Sequence, residues 1–458
     1  MKDGYVLGLD LGSSSIKAVL AKSLGENGME IIASEQLENG DQILSGEIYN
    51  VNKTVKSISE VLRRLTHDLD IQHSDLHLST NITGQHIKFH FFEHRQERIN
   101  NRQPISEKEI FQILNDSRDS FDNNENPILH QLFISFKIDN NPETNDPVGL
   151  IGSTIFSKVL FITCDNEKMD ILKDTISKIN EFSFQKKKIS FGPIASSSNI
   201  LSDEEKSEGV ILLDLGSGLT EVSLYKNNQL KGAKVINWGG NRITEDIIAG
   251  LNISAHHAET IKIKFGSALS KEVDYNEVIM VPGIAGRAPY PISARSLAII
   301  IEERIKELAA NILAEIKRVG TPRDFKSGIV LVGGGAQLPY INNLLTKYTN
   351  LDCRIGETSI QAKTLKIKED INNPIFATAV GLSELLINQM NINEEIHEEE
   401  EIEQEEDLQI EDQVPTVKKP IDKPVNTPQK EPRKPIFKNF FNKMVDVVMG
   451  DEDDGDDY

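Results

Sequence analysis

The residues best suited to chemistry lie in two turns of similar design, about 200 residues apart. In the first, an apolar strand Val6–Leu9 runs into Asp10-Leu11-Gly12-Ser13-Ser14-Ser15-Ile16-Lys17. In the second, Val210–Leu213 runs into Asp214-Leu215-Gly216-Ser217-Gly218-Leu219-Thr220. Glycine lets the backbone turn tightly enough for its N–H groups to converge on anionic oxygens, and the serine and threonine hydroxyls add donors. Lys17 would place a positive charge on the same oxygens. Asp10 and Asp214, one at each strand end, would face each other across bound phosphates. There they would hold a Mg²⁺ ion through its waters, since Mg²⁺ gives up its hydration reluctantly. One such turn is weak evidence, because an ordinary hairpin has the same composition. Its repetition points to two similar half-domains clamping one ligand.

A third element follows in Ile329-Val330-Leu331-Val332-Gly333-Gly334-Gly335-Ala336-Gln337-Leu338, with a helix expected from about Pro339. Its three glycines permit close approach of backbone to a flat ring. The elements around these turns alternate between Gly-punctuated apolar strands and helical periodicity, which indicates α/β architecture. Val55–Leu65 and Leu297–Ile316 carry helical apolar faces. Between Thr80 and Asp165 the character changes. Strand-like runs at His86–Phe92 and Leu132–Ile138 flank a helix, Ser106–Leu114, opened by the capping-box pair Ser106 and Glu109. This segment has the pattern of a small inserted α+β subdomain.

In this order the three motifs resemble the phosphate-1, phosphate-2 and adenosine motifs of the actin, Hsp70 and sugar-kinase superfamily. Within it, several segments are similar to the FtsA family of bacterial division proteins. They include Pro193-Ile194-Ala195-Ser196-Ser197, Gly239-Gly240-Asn241-Arg242-Ile243-Thr244-Glu245, Ala258-Glu259-Thr260-Ile261-Lys262 with Phe265-Gly266, Val281-Pro282-Gly283 with Arg287, and Ala377-Thr378-Ala379-Val380-Gly381-Leu382. The resemblance spans roughly residues 4–388. It implies an actin-like two-lobed ATPase fold with ATP and Mg²⁺ between the lobes. Lobe 1 (1A) would comprise residues 1–83, 166–205 and a closing helix, 364–390, with the inserted subdomain 1C at 84–165. Lobe 2 (2A) would comprise 206–238 and 289–363, with subdomain 2B at 239–288.

The same resemblance puts Glu259 and Lys262 near the ribose and base; otherwise they are an exposed i, i+3 helix pair. Hydrolysing relatives place a Gln or an acid in the helix before the second phosphate turn, to orient the attacking water. Here that place falls to Gly192, so turnover below the ~1 s⁻¹ low end of typical enzymes is expected. No catalytic residue is assigned; Ser196 and Ser197 are the nearest hydroxyls that could act through a water. By resemblance the chain self-associates into filaments, meets the tubulin-like protein FtsZ through 2B, and meets other division proteins through 1C. Its expected place is the division site, on the cytoplasmic face of the inner membrane.

Composition agrees with a cytoplasmic protein of more than one domain. The 458 residues carry a formal net charge of −21, which argues against nucleic acid, a partner that calls for basic clusters. The two cysteines, Cys164 and Cys353, lack metal-ligand spacing and are expected to be buried and reduced. The pair His256-His257 has no acid or cysteine at ligand spacing and is assigned to solvated helix surface. No segment reaches the ~20 apolar residues needed to cross a bilayer, and the N-terminus shows no signal-peptide pattern.

From 391 to 433 the chain turns acidic and then Pro/Lys-rich, a composition that cannot offset its ordering entropy and predicts a disordered linker. Residues 434–450 differ. On a helical projection Lys438, Asn439, Asn442, Lys443 and Asp446 share one arc. Phe437, Phe440, Phe441, Met444, Val445 and Val448 share the other. Such a helix is ~22 Å long, too short for the ~30 Å hydrocarbon core, and is suited to lying on a membrane; a protein groove is the alternative. FtsA-like proteins end in a membrane-targeting helix of this kind. The closing run 451–458 is acidic and would oppose anionic lipid. A soluble phosphotransferase, an Hsp70-like chaperone and a pilus-assembly ATPase are competing functions on this fold, and none of them needs the amphipathic end. Replacing Phe440 and Phe441 together by Glu should abolish co-sedimentation with liposomes and leave nucleotide binding unchanged, because it removes on the order of 2 kcal/mol of interfacial burial. Retained sedimentation would make the helix a protein-docking element.

Overall fold

The computed structural model describes residues 4–391 except 26–27, 68, 70, 72–75, 123–125, 284–286, 359–365 and 368–370. Nearly all of the expected linker, the terminal helix and the acidic tail therefore lie outside the described residues. The chain opens as an antiparallel meander, β1 (Tyr5–Leu11), β2 (Ser15–Ser23) and β3 (Met29–Glu38). A small hairpin, β4 (Ile43–Leu44) and β5 (Glu47–Ile48), leads into α1 (Val51–Thr66). Asn50 starts this helix by accepting from Lys53 N–H, and Ile58, Val61, Leu62 and Leu65 turn its apolar stripe to the core. β6 (Leu76–Ile82) then pairs parallel with β1.

Here the chain leaves the lobe for β7 (Lys88–Glu97), α2 (Glu107–Asp119), β8 (Ile128–Ile138) and β9 (Thr154–Thr163). These form a three-stranded sheet, β7-β9-β8, with its own core of Ile110, Leu114, Phe136, Ile155 and Phe161. The expected capping box at α2 is half formed. Ser106 accepts from Glu109 N–H, while the Glu109 carboxylate is taken by the buried Arg98 guanidinium at 2.6 and 2.9 Å, a charge-assisted pair that outcompetes a backbone N–H. The chain returns as α3 (Asn166–Ser177) and β10 (Phe184–Phe191), parallel to β6, and crosses to the second lobe through α4 (Gly192–Ile200) and α5 (Asp203–Glu208).

The second lobe repeats the plan. β11 (Val210–Leu215), β12 (Thr220–Lys226) and β13 (Gln229–Ile236) form the meander. α6 (Gly240–Leu251), α7 (Ala255–Phe265) and the hairpin β14 (Val278–Val281) with β15 (Tyr290–Ser293) follow. After α8 (Ala294–Val319), β16 (Ile329–Val332) pairs parallel with β11; α9 (Ile341–Thr349) leads to β17 (Cys353–Ile355), parallel to β16. Strand order β3-β2-β1-β6-β10 in one sheet thus matches β13-β12-β11-β16-β17 in the other. The helix expected from about Pro339 starts later, at Ile341, because Gly334–Gln337 forms a 3-10 turn first.

The chain then recrosses to lobe 1. β18 (Lys366–Ile367) extends that sheet beside β3, and a helix over 377–391, α10, lies against its back. The small residues of α10 explain themselves by contact. A Cβ on Gly8 of β1 would lie 2.0 Å from the Ala379 carbonyl oxygen, and one on Gly381 would lie 1.8 Å from that of Ala195 in α4. Gly8→Ala should therefore lower the melting temperature, at a cost on the order of 1–3 kcal/mol for overpacking. Gly334→Ala, with nothing within 4 Å of the added carbon, should leave it unchanged; thermal denaturation followed by circular dichroism reads both.

Candidate functional site

The β1–β2 and β11–β12 turns meet across a cleft of 840 Å³ between the lobes. Antiparallel register sets Asp10 opposite Lys17, whose Nζ donates to Asp10 Oδ2 at 2.9 Å. Asn81, at the end of β6, donates to Asp10 Oδ1 at 2.8 Å and accepts from Leu11 N–H at 2.8 Å, so the strand end is held from two sides. Asn39 donates to the carbonyls of Gly12 and Ser13, and Ser13 Oγ accepts from Gly46 N–H at 3.0 Å. Gly12, Ser13, Ser14, Ser15 and Lys17 all line the cleft. Both Asp10 and Lys17 are buried, at 7% and 9% exposure, where an ion pair is far less screened than on a surface.

On the facing side Asp214 ends β11 beside Gly333. Gly333 takes φ +81°, and a Cβ there would lie 2.3 Å from Asp214 Oδ1, so both conformation and space demand glycine. Thr378 of α10 donates to Asp214 Oδ2 at 3.4 Å. The turn carbonyls of Gly216 and Ser217 accept from Gly240 and Asn241 N–H at the start of α6, which fixes Gly216, Ser217 and Gly218 at the cleft wall. Thr220 departs from expectation. It is fully buried and donates to the Trp238 carbonyl at 2.8 Å, because strand alternation turns it away from the cleft.

The acid next to it faces inward. Glu221 sits opposite Asp214 in the β11–β12 register, the place that Lys17 holds opposite Asp10. It accepts a hydrogen bond from Thr83 Oγ1, across the lobes. Sequence reasoning missed it by stopping the motif at Thr220; the duplicated hairpin register was the signal that identifies it. Burial first, and the neighbouring Asp214 second, push the Glu221 carboxyl well above the usual carboxylate range. Burial and then Asp10 push Asp214 upward too, with Lys17 pulling the other way. A Cβ on Gly192 would lie 3.8 Å from Glu221 Oε2, so the acid borders the space that this glycine leaves open. Ser196 and Ser197 do not reach it. Their hydroxyls return to the Pro193 and Ile194 carbonyls inside α4, and both residues are buried away from the cleft.

At the far end Glu259 and Lys262 lie on α7. They form the i, i+3 ion pair at 2.7 Å and line the cleft together. Lys262 Nζ also donates to the Gly240 carbonyl at 3.0 Å and to Thr244 Oγ1 at 2.9 Å, tying α7 to α6. Ile263 of α7 also lines the cleft, as do Gly333, Gly334, Gly335 and Leu338. Gln337 lines it while its Nε2 donates to Asn373 Oδ1 at 3.0 Å. His256 is exposed on α7, and Cys164 and Cys353 are buried free thiols.

The FtsA cell-division model matches residues 211–381, and the SHS2 domain inserted in FtsA matches 84–163. Together they span more than half of the chain, one on the second lobe and its return, the other on the inserted sheet. The chain belongs to the FtsA family. It is 27% identical over 389 residues to the cell division protein FtsA of Escherichia coli K12, covering 82% of this chain and 89% of that one. It is 28% identical over 403 residues to FtsA of Borreliella burgdorferi, covering 86% and 94%. Among solved structures, the PilM–PilN type IV pilus biogenesis complex matches with a TM-score of 0.56 at 15% identity, over 82% of this chain and 97% of that one. MreB5 of Spiroplasma citri bound to ADP matches with 0.52 at 12% identity, over 86% and 98%. These likenesses establish the actin-like fold. Among the described residues of this FtsA-family chain, no helix is long and apolar enough to cross a membrane.

The raised carboxyls have a consequence for stability. The native state keeps protons on Asp214 and Glu221 that the unfolded chain releases near pH 4, so their contribution to stability falls as pH rises from there. Without ligand, the melting temperature should drop between about pH 4 and about pH 8, and Glu221→Gln should flatten part of that drop. Parallel slopes in the two proteins, followed by differential scanning fluorimetry, would show that the cluster is not protonated in this way.

Proposed function

We propose that the cleft binds Mg-ATP and that nucleotide-bound subunits polymerise on the cytoplasmic face of the inner membrane, where they tether the FtsZ ring. The observation that carries this reading is the pair of facing turns, with Lys17–Asp10 on one side and Asp214 on the other, at the mouth of an inter-lobe cleft. Gly12, Ser13, Ser14, Ser15, Gly216, Ser217 and Gly218 supply backbone and hydroxyl donors to the phosphates, as in other anion-binding nests. Lys17 neutralises charge on the oxygens. Glu259 and Lys262 address the ribose and base, and Gly333, Gly334, Gly335 and Gln337 form the flat wall beside the ring.

The acids fit a hydrated divalent cation. Three carboxylates, Asp10, Asp214 and Glu221, lie near Lys17, and the upward push on two of them marks negative charge in want of a counter-ion. Among the described residues no three acids, histidines or cysteines are arranged to ligate a bare ion, which suits one held through its waters by Asp10 and Asp214. When bound, Mg²⁺ neutralises phosphate charge. Glu221, oriented by Thr83, takes the water-facing position left open by Gly192.

For partners, β14 and β15 of 2B present exposed Val278 and Met280, a face suited to FtsZ, and 1C is available to other division proteins. Membrane attachment falls to the amphipathic sequence at 434–450, which lies outside the described residues. Asp214→Ala and Lys17→Ala should each weaken Mg-ATP binding well beyond tenfold in isothermal titration calorimetry, since each removes a charge from a desolvated phosphate site. Wild-type affinity in both variants would refute the clamp.

A further inference from the structure

We propose that β8, a strand of the inserted subdomain, is a crosspiece fastened to both lobes, and that His130 and Gln229 are positioning residues through which the insert sets the rate of nucleotide release. The proposal rests on the nucleotide reading of the cleft and goes beyond it by naming what governs its opening. The strand is buried on both faces. On one, Gln131 donates to the Leu114 carbonyl at 2.8 Å and to Ser117 Oγ at 3.2 Å, and Phe133 joins the insert's own core, so this face belongs to α2. On the other, His130, Leu132 and Ile134 alternate toward the body of the protein.

His130 reaches lobe 1. Its ring is 2% exposed, and its Nε2 accepts from Phe191 N–H at 2.9 Å. Phe191 is the residue at which β10 gives way to α4, and the next residue is Gly192, beside the cleft-lining Glu221. An accepting Nε2 places the ring proton on Nδ1. Burial first and the Lys188 charge second push His130 down to about 3, so this neutral form persists across the physiological range. Four residues along the strand, roughly 13 Å away, the Ile134 carbonyl accepts from Gln229 Nε2 at the start of β13 in lobe 2. The Gln229 amide also donates to Asn145 Oδ1 of the insert at 3.3 Å. Leu132 and Ile134 share one apolar cluster with Leu230 of lobe 2 and with Phe191 and Ile194 of lobe 1.

The two fastenings differ in stiffness. The His130 crossing is solvent-free. The Gln229 crossing borders a polar hollow of 340 Å³ lined by Ser135, Glu143, Asn145 and Lys231. Rotation of lobe 2 against lobe 1 therefore pivots near His130 and slides at Gln229, and it either drags the insert or breaks the second crossing. Because coupling between two sites is reciprocal, whatever holds the insert also holds the cleft.

A thiol-specific reagent spanning roughly 8 Å tests this on the full chain carrying Asn145→Cys and Gln229→Cys. Background reaction is small, since Cys164 and Cys353 are buried with thiols pushed up to about 12. Bridging should slow release of a fluorescent ATP analogue at least tenfold, and cleaving the bridge should restore it. In parallel, His130→Leu should accelerate release severalfold, and His130→Gln, which keeps an acceptor for Phe191, should return it toward wild type. Equal release rates in bridged and unbridged protein, with the bridge confirmed by mass, overturn the crosspiece alone. Failure of the wild type to bind the analogue overturns the nucleotide reading and this proposal with it.

Discussion

One buried and two half-buried carboxylates with one ammonium group, drawn from two lobes, cannot balance one another. Asp10 and Lys17 neutralise each other within lobe 1, which leaves Asp214 and Glu221 in lobe 2 facing inward without an ion pair among the described residues. In a site of low dielectric such like charges repel strongly, so each must carry a proton, gain a counter-ion or move apart. The surrounding structure is organised around this tension. Asn81, Thr83 and Thr378 each offer a hydrogen bond to one of the acids, and they come from β6, the segment after it and α10. Apolar contacts between the lobes, Ile194 and Leu230 sharing one cluster, hold them together against this repulsion.

The two sheets share one strand order, and their first hairpins share one register, yet the residues at the matching position have opposite charge. Lys17 and Glu221 are structural equivalents. One half of the duplicated frame turns a lysine toward the cleft at this position, and the other turns an acid. A two-fold scaffold thus produces a site with a distinct front and back, without a change of backbone.

Much of this was legible in the chain, for physical reasons that also explain what was not. The turns at Asp10 and Asp214 announce themselves because a strand end, a glycine and a run of hydroxyls have few other uses in combination. The inserted sheet showed as a change of texture between Thr80 and Asp165. Glu221 stayed hidden because its meaning depends on cross-strand register, and register is a property of the paired hairpin rather than of a local run. Thr220 misled for the same reason, one residue out of phase. Thr83, Asn81 and Thr378 contribute from distant segments whose convergence no spacing encodes. The lengths of α1, α2 and α8 were underestimated at their ends, where capping and the last turn carry little periodic signal.

The return of α10 to lobe 1 also fixes an order of events during synthesis. Lobe 2 is built from one continuous stretch, so its contacts can form as soon as that stretch has emerged. Lobe 1 depends on a contact between Gly8 and Ala379, at opposite ends of the described chain. Its first strands must wait, with one apolar face uncovered, until almost the whole body has been made. The arrangement expected on the ribosome is therefore a finished second lobe beside an unfinished first, with the lobe that emerges first closing last.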